Sequence, residues 1–162
     1  MQYTADELND VLEWLHNLEE DALTAIIDKI ADENPHLLGY VMSDDALMLG
    51  ENEAEVILFI AVVFYKTVER KLGQVEAISE EAIDQLQDAN WQLFEDAENK
   101  KPAEMAEYVN ELVEKHAEPE FLYYILDALE EEESDEDDLG IEESAKVPMF
   151  VMLKTVADAL LD

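Results

Sequence analysis

The sequence predicts an all-α protein of seven or eight helices, arranged as two similar four-helix units that form a bundle or short α-solenoid. Three observations carry that expectation. Residues 56–65 are ten consecutive apolar residues set between helix start and stop signals. Apolar residues at helical spacing fill most of the remaining chain, and segments of the first half recur in the second at nearly constant offsets.

The apolar run is the centre around which the rest is organised. A segment apolar on every side has to be enclosed, because each large side chain left in water forfeits roughly 1.5 to 3 kcal/mol of burial free energy. Its β-branched and aromatic residues also suit a strand, but the flanks favour a helix over residues 52–72. Asn52 and Glu55 have capping-box spacing, Lys66, Arg70 and Lys71 occupy the last turns, and no Gly or Pro intervenes before Gly73. Ten apolar residues are too few to span a bilayer, which needs roughly 20.

In chain order, Thr4 with Glu7 reads as the capping box of a first helix, with Tyr3 stapled onto Leu8 and an apolar face of Leu8, Val11, Leu12, Leu15 and Leu18. After a break between Asn17 and Asp21 the pattern continues through Leu23, Ile26, Ile27 and Ile30. Pro35 opens a short third helix carrying Leu37, Leu38, Val41 and Met42, and a connection over residues 43–51 leads to the central helix. Beyond Gly73, Ser79 is the predicted N-cap of a helix bearing Ile83, Leu86, Leu93, Phe94 and Ala97, with Ile78 stapled to Ile83. The next helix, after Pro102, carries Met105, Val109, Leu112 and Val113. Pro119 opens another with Phe121, Leu122, Ile125, Leu126 and Leu129. An acidic connection then leads to a final helix bearing Val147, Met149, Phe150, Val151, Leu153, Val156, Ala157 and Leu160.

The two series resemble each other. Residues 35–42 match 119–126 at an offset of 84, Lys66-Thr67-Val68 recurs as Lys154-Thr155-Val156 at 88, and Leu23, Ile26, Ile27 and Ile30 match Met105, Tyr108, Val109 and Leu112 at 82. The expectation is therefore one domain over 1–162 built from pseudo-repeat units 1–73 and 74–162.

Charge is the extreme feature of the composition. Forty-three acidic residues against nine basic ones give a formal net charge of −34, while 49% hydrophobic residues suffice for a sizeable core. Direct binding to nucleic acid or to an anionic membrane needs a cationic face and is not expected. Cysteine is absent, which removes thiolate metal sites and cysteine nucleophiles. The first seven residues have neither a basic region nor an apolar h-region, so no signal peptide is read and a cytoplasmic location is the default expectation.

Three groups of residues invite a chemical reading. Residues 127–143 hold eleven acids. A calcium loop aligned on Gly140 places Leu139 at the fifth position and Lys146 where the bidentate Glu belongs, so a solvated acidic loop is the simpler expectation. Glu13 with His16, and Glu33 with His36, have the Glu-x-x-His spacing of carboxylate-bridged metal sites, but Glu13 and His16 face away from the apolar stripe and Pro35 interrupts the second pair. Trp14, Trp91, Tyr40, Tyr65, Tyr123 and Tyr124 fit core and interface packing. The chain has four glycines and neither a P-loop, a dinucleotide fingerprint nor a nucleophile elbow.

The functional expectation is a non-enzymatic acidic interaction protein, without cofactor or metal, that binds a basic protein partner in the manner of nuclease inhibitors or DNA mimics. Inhibition of that partner is one outcome of such binding. The residues expected to capture it are Glu130, Glu131, Glu132, Glu133, Asp135, Glu136, Asp137 and Asp138, the densest charge in the chain. Two other classes compete: a metal-dependent helical enzyme or metal-binding protein using Glu13, His16, Glu33 and His36, and a structural domain whose acidity is environmental.

Overall fold

A computed structural model describes residues 3–43, 48–95, 102–133 and 143–161. Among them the chain forms eight α-helices and no strand: α1 (Ala5–His16), α2 (Glu20–Glu33), α3 (Pro35–Val41), α4 (Glu51–Leu72), α5 (Glu80–Glu95), α6 (Pro102–Lys115), α7 (Pro119–Glu133) and α8 (Glu143–Leu161). The strand alternative for the apolar run is excluded, and the architecture is a helical bundle.

Local signals set most boundaries. The Thr4 hydroxyl accepts from the Glu7 amide at 3.2 Å while the Glu7 carboxylate accepts from the Thr4 amide, so the capping box is complete. Ser79 caps α5 by accepting from the Ala82 amide at 3.1 Å. Pro35, Pro102 and Pro119 each open a helix, where a missing N–H leaves no bond unmade, whereas Pro148 lies inside α8. Gly73 ends α4 with φ +89, a conformation L side chains rarely adopt.

The start of α4 differs from the sequence expectation. Asn52 lies inside the helix and caps nothing; Gly50 is the N-cap, with φ +132, and makes no side-chain cap bond. The neighbouring Glu53 is buried with its carboxylate folded against Gly50, so a glycine is needed there both for the backbone angle and for the space. Tyr3, at the entrance to α1, also reaches beyond its own helix. Its ring meets Phe121 edge-on at 5.1 Å, with the Lys71 ammonium 4.5 Å from its face, so it joins α1 to α7 as well as starting its own helix.

The core forms around α4 and α8, which pack on each other. Ile57, Ile60, Ala61, Val62, Val63, Phe64 and Tyr65 are buried, and Met149, Val151, Leu153, Val156 and Ala157 are buried opposite them. The packing pattern repeats between the halves. Helix α1 lies on α4 as α5 lies on α8, α3 lies on α4 as α7 lies on α8, and α2 and α6 pack on α3 and α7 respectively. Contacts between the halves are reciprocal as well, α1 with α7 and α5 with α3. Because α2 lies on the outside, Leu23, Ile26 and Ile27 are only half-buried and Ile30 alone reaches the interior.

The residues that precede Pro35 and Pro119 do the same work in opposite directions. Asn34 Oδ1 accepts from the Ile78 amide at 2.7 Å, just ahead of the α5 cap, and Glu118 accepts from the Tyr3 amide at 3.0 Å, just ahead of the α1 cap. Each α2–α3-type corner thus holds the entrance of the other half's first helix. The repeated Lys-Thr-Val segments also match: Thr67 and Thr155 are both buried, and each donates to the carbonyl one turn back, Val63 and Val151, at 2.7 Å. A buried hydroxyl needs a partner, and in a tight helix interface that carbonyl is within reach.

Candidate acidic interaction surface

Carboxylates line the outer faces of three helices. Asp6, Asp10 and Glu13 are exposed along α1, Glu81, Asp84 and Asp88 along α5, and Glu104, Glu107, Glu111 and Glu114 along α6. Spacing of three or four residues keeps each set on one face, with successive acids about 5 Å apart along the axis. Each row is fixed by the apolar stripe behind it. Leu8, Val11 and Leu15 bury the other side of α1, Ile83 and Phe94 that of α5, and Val113 that of α6.

Five of the described cations have partners outside these rows, while Lys115 is exposed at the end of α6. Lys66 pairs with Glu69 at 2.6 Å, Lys71 with Glu7 at 3.1 Å, Lys154 with Asp158 at 2.9 Å and Lys29 with Glu33 at 3.6 Å. Arg70 lies over the Trp14 ring, 4.8 Å from its centroid. Trp14 is thus a half-covered residue at the interface of α1 with α4, as expected of interface packing, whereas Tyr123 is exposed and lies outside the core.

The predicted partner-capture residues divide into two groups. Glu130, Glu131, Glu132 and Glu133 are the last residues of α7, so they continue a helix where a loop was expected; only their backbone is described. Asp135, Glu136, Asp137 and Asp138, with the calcium-loop alignment on Gly140, lie outside the described residues.

The Glu-x-x-His pairs are not assembled. Glu13 and His16 are exposed on α1, where the His16 ring lies 5.2 Å from that of Phe59, tilted by 44°. Glu33 accepts from the Tyr65 hydroxyl at 3.0 Å, while His36 is exposed on α3. Among the described residues no three His, Asp or Glu side chains converge in a metal-binding arrangement. An open groove of about 570 Å³ beside Glu33, Glu69 and Glu76 is acidic, but Lys29, Lys66 and Tyr65 already engage two of its carboxylates.

The densest polar chemistry is inside the second half. Lys154 donates to Asn90 at 2.8 Å and to Asp158 at 2.9 Å, and Asn90 donates to Thr155 at 3.0 Å and to Asp158 at 3.3 Å. Asp158 receives a further bond of 2.7 Å from His116 Nε2, while His116 Nδ1 accepts from the Glu118 amide at 3.0 Å. Burial works against the charge of Asp158, but His116 and Lys154 outweigh it and hold the carboxyl below its ordinary range. An Asp-His pair orients a base in many hydrolases. Here the chain itself occupies both ring nitrogens.

Sequence reasoning passed over this cluster and the Asn34 clasp. One signal was present: Asn90 falls between Ile83 and Phe94 on the apolar face of α5, where a polar residue needs an internal partner. Compared with known proteins, the chain matches no family model, no curated protein and no solved structure. No helix among the described residues is long and apolar enough to cross a membrane.

Proposed function

We propose that this chain is a non-enzymatic acidic protein of the cytoplasm that docks on the cationic site of a basic protein partner and occupies it, as a nuclease inhibitor or DNA mimic does. The observation that supports this reading most is the row of Glu104, Glu107, Glu111 and Glu114, exposed on one face of a helix whose far side is anchored by Val113. Charges fixed on helices present a defined pattern at little entropic cost to the complex, whereas a charged tail must first be ordered. Glu130 to Glu133 at the end of α7, with Asp135 to Asp138 beyond, extend the negative field and steer encounter. Nucleic acid is not expected as a direct partner, because a chain of formal charge −34 offers no broad cationic face.

The full-length protein is immobilised, and proteins retained at roughly 50 mM NaCl and released at roughly 500 mM are identified, a range over which the Debye length shortens about threefold. The reading expects a basic protein whose own activity or DNA binding falls when the full chain is added. Replacing Glu104, Glu107, Glu111 and Glu114 by Gln is expected to slow its association about tenfold or more at low salt. Recovery of no such partner, or of one whose association ignores both salt and the substitutions, refutes it.

A further inference from the structure

We propose that His116 is an acid-sensitive latch: on protonation at Nδ1 it draws the Glu118 carboxylate away from the Tyr3 amide and releases the entrance to α1. The geometry of the neutral ring supplies the first step. Because Nδ1 accepts from the Glu118 N–H at 3.0 Å, the ring proton resides on Nε2 and is donated to Asp158 at 2.7 Å. A proton arriving from solvent at Nδ1 sets two donors against each other at hydrogen-bond distance, so that bond must break.

The new Nδ1–H then needs an acceptor. Asp158 is committed to Nε2 of the same ring and to Lys154 and Asn90. The Glu118 carboxylate stands on the same corner, two residues along, is buried, and is held by the Tyr3 amide through contacts of 3.0 and 3.4 Å. A hydrogen bond from an imidazolium to a carboxylate has both partners charged, which makes it stronger than one in which a neutral amide donates to the same carboxylate, so the carboxylate changes partner. The Tyr3 amide loses the carboxylate that accepts from it, while the capping box of Thr4 and Glu7, which is local to α1, remains.

The charged and titratable groups around the ring pull in both directions, with the carboxylates favouring the proton. From α8 come Asp158, which holds the ring in place, and Lys154, which opposes a second cation near Asp158. From α5 comes Asn90, which is uncharged. From the N-terminal segment comes Tyr3, with Glu7 and Lys71 beyond it. On the segment of His116 itself, Glu114 and Lys115 are exposed and Glu118 alone is buried. The equivalent corner in the first half uses Asn34, an amide that does not titrate, so the device acts on one half and leaves a control in the other.

The test uses the full-length protein. The His116 ring signals are followed by NMR between about pH 7.5 and 5, the interval in which an ordinary imidazole changes charge. Hydrogen-exchange protection of the Tyr3 and Ile78 amides is measured alongside, corrected for the intrinsic pH dependence of exchange. The expected result is a fall of about tenfold or more in Tyr3 protection that tracks the His116 titration, with Ile78 protection unchanged. His116→Gln, which cannot take the proton, abolishes the pH dependence at Tyr3. Tyr3 protection that stays constant through the titration, falls equally at Ile78, or falls unchanged in His116→Gln overturns the proposal, as does a ring that does not titrate in this interval. If the variant fails to fold, the comparison of Tyr3 with Ile78 in the wild-type protein decides alone.

Discussion

Replacing Asn34 by Ala tests whether the reciprocal corners hold the two halves together. Asn34 is fully buried, accepts from the Ile78 amide at 2.7 Å, and donates to the Glu76 carbonyl at 3.1 Å and to the Tyr65 hydroxyl at 3.3 Å. The longest bond matters least, because Tyr65 keeps its bond to Glu33. The other two are worth about 1 kcal/mol each, and leaving the Ile78 N–H without an acceptor adds its desolvation, for a total of about 2 to 4 kcal/mol. In a chain of this length that lowers Tm by roughly 4 to 16 °C. Urea unfolding gives the free energy, and the Ile78 amide reports the local effect through lost exchange protection. Asn34→Asp separates the two roles: it keeps the acceptor for Ile78 but loses both donors and sets a carboxylate beside Glu33. It is expected to retain Ile78 protection better than the alanine variant and to recover stability as pH falls. A cost below about 1 kcal/mol for Asn34→Ala, with Ile78 still protected, refutes the assignment.

Gly50→Ala is expected to destabilise the start of α4 by roughly 1 to 3 kcal/mol, because φ +132 suits glycine alone and the new Cβ meets the buried Glu53 carboxylate; chemical denaturation measures it. Tyr65 is pushed up to about 12, chiefly by burial and further by Glu33, against the opposing bond from Asn34. A folded value above the unfolded one stabilises fully below about pH 10 and the gain is lost as pH rises towards 12, on the order of 1 to 2 kcal/mol after allowing for solvent at the Glu33 side. Tyr65→Phe should therefore show a shallower alkaline decline in urea unfolding. For Asp158, whose carboxyl is held low, the sign is opposite: its contribution is present above about pH 4 and is lost as pH falls through the folded value. Asp158→Asn should cost about 3 kcal/mol at neutral pH, because it leaves Lys154 buried without its countercharge, and the difference from wild type should narrow in acid.

Much of the fold was legible because its signals are local. Thr4 with Glu7, Ser79, Pro35 and Pro119 act within one turn of themselves, and an apolar run such as 56–65 must be enclosed whatever surrounds it. Misreadings came where a distant partner decides. Asn52 has the residue type and spacing of a cap, but Gly50 already supplies the turn and buries Glu53 against it, so the helix begins earlier. For Trp14 the sequence leaves core and interface packing open, and Arg70, 56 residues later in the chain, settles it by lying over the ring at the interface of α1 with α4. The acids after Leu129 read as a loop by composition, yet α7 continues through Glu133, since Glu is a good helix former in its own right. The clasp of Glu118 on Tyr3 spans 115 residues, and no spacing in the sequence announces it.

Among the described residues, the buried polar interactions that join the helices run largely through Asn34, Tyr65, Asn90, His116, Glu118, Lys154 and Asp158, on the inner side of the bundle. The rows on α1, α5 and α6 lie on the opposite side and contribute repulsion to a chain of formal charge −34. Their mutual repulsion is a cost to the fold, and neutralising them separates a functional from an environmental origin. Changing Glu104, Glu107, Glu111 and Glu114 to Gln should raise Tm at low salt, by a margin that shrinks as salt screens the charges, and should slow capture of the basic partner over the same salt range. If acidity were only a surface adaptation, the variant would lose solubility or stability in concentrated salt while partner association stayed unchanged. A variant that is more stable, equally soluble and slower to bind places these carboxylates in the service of recognition.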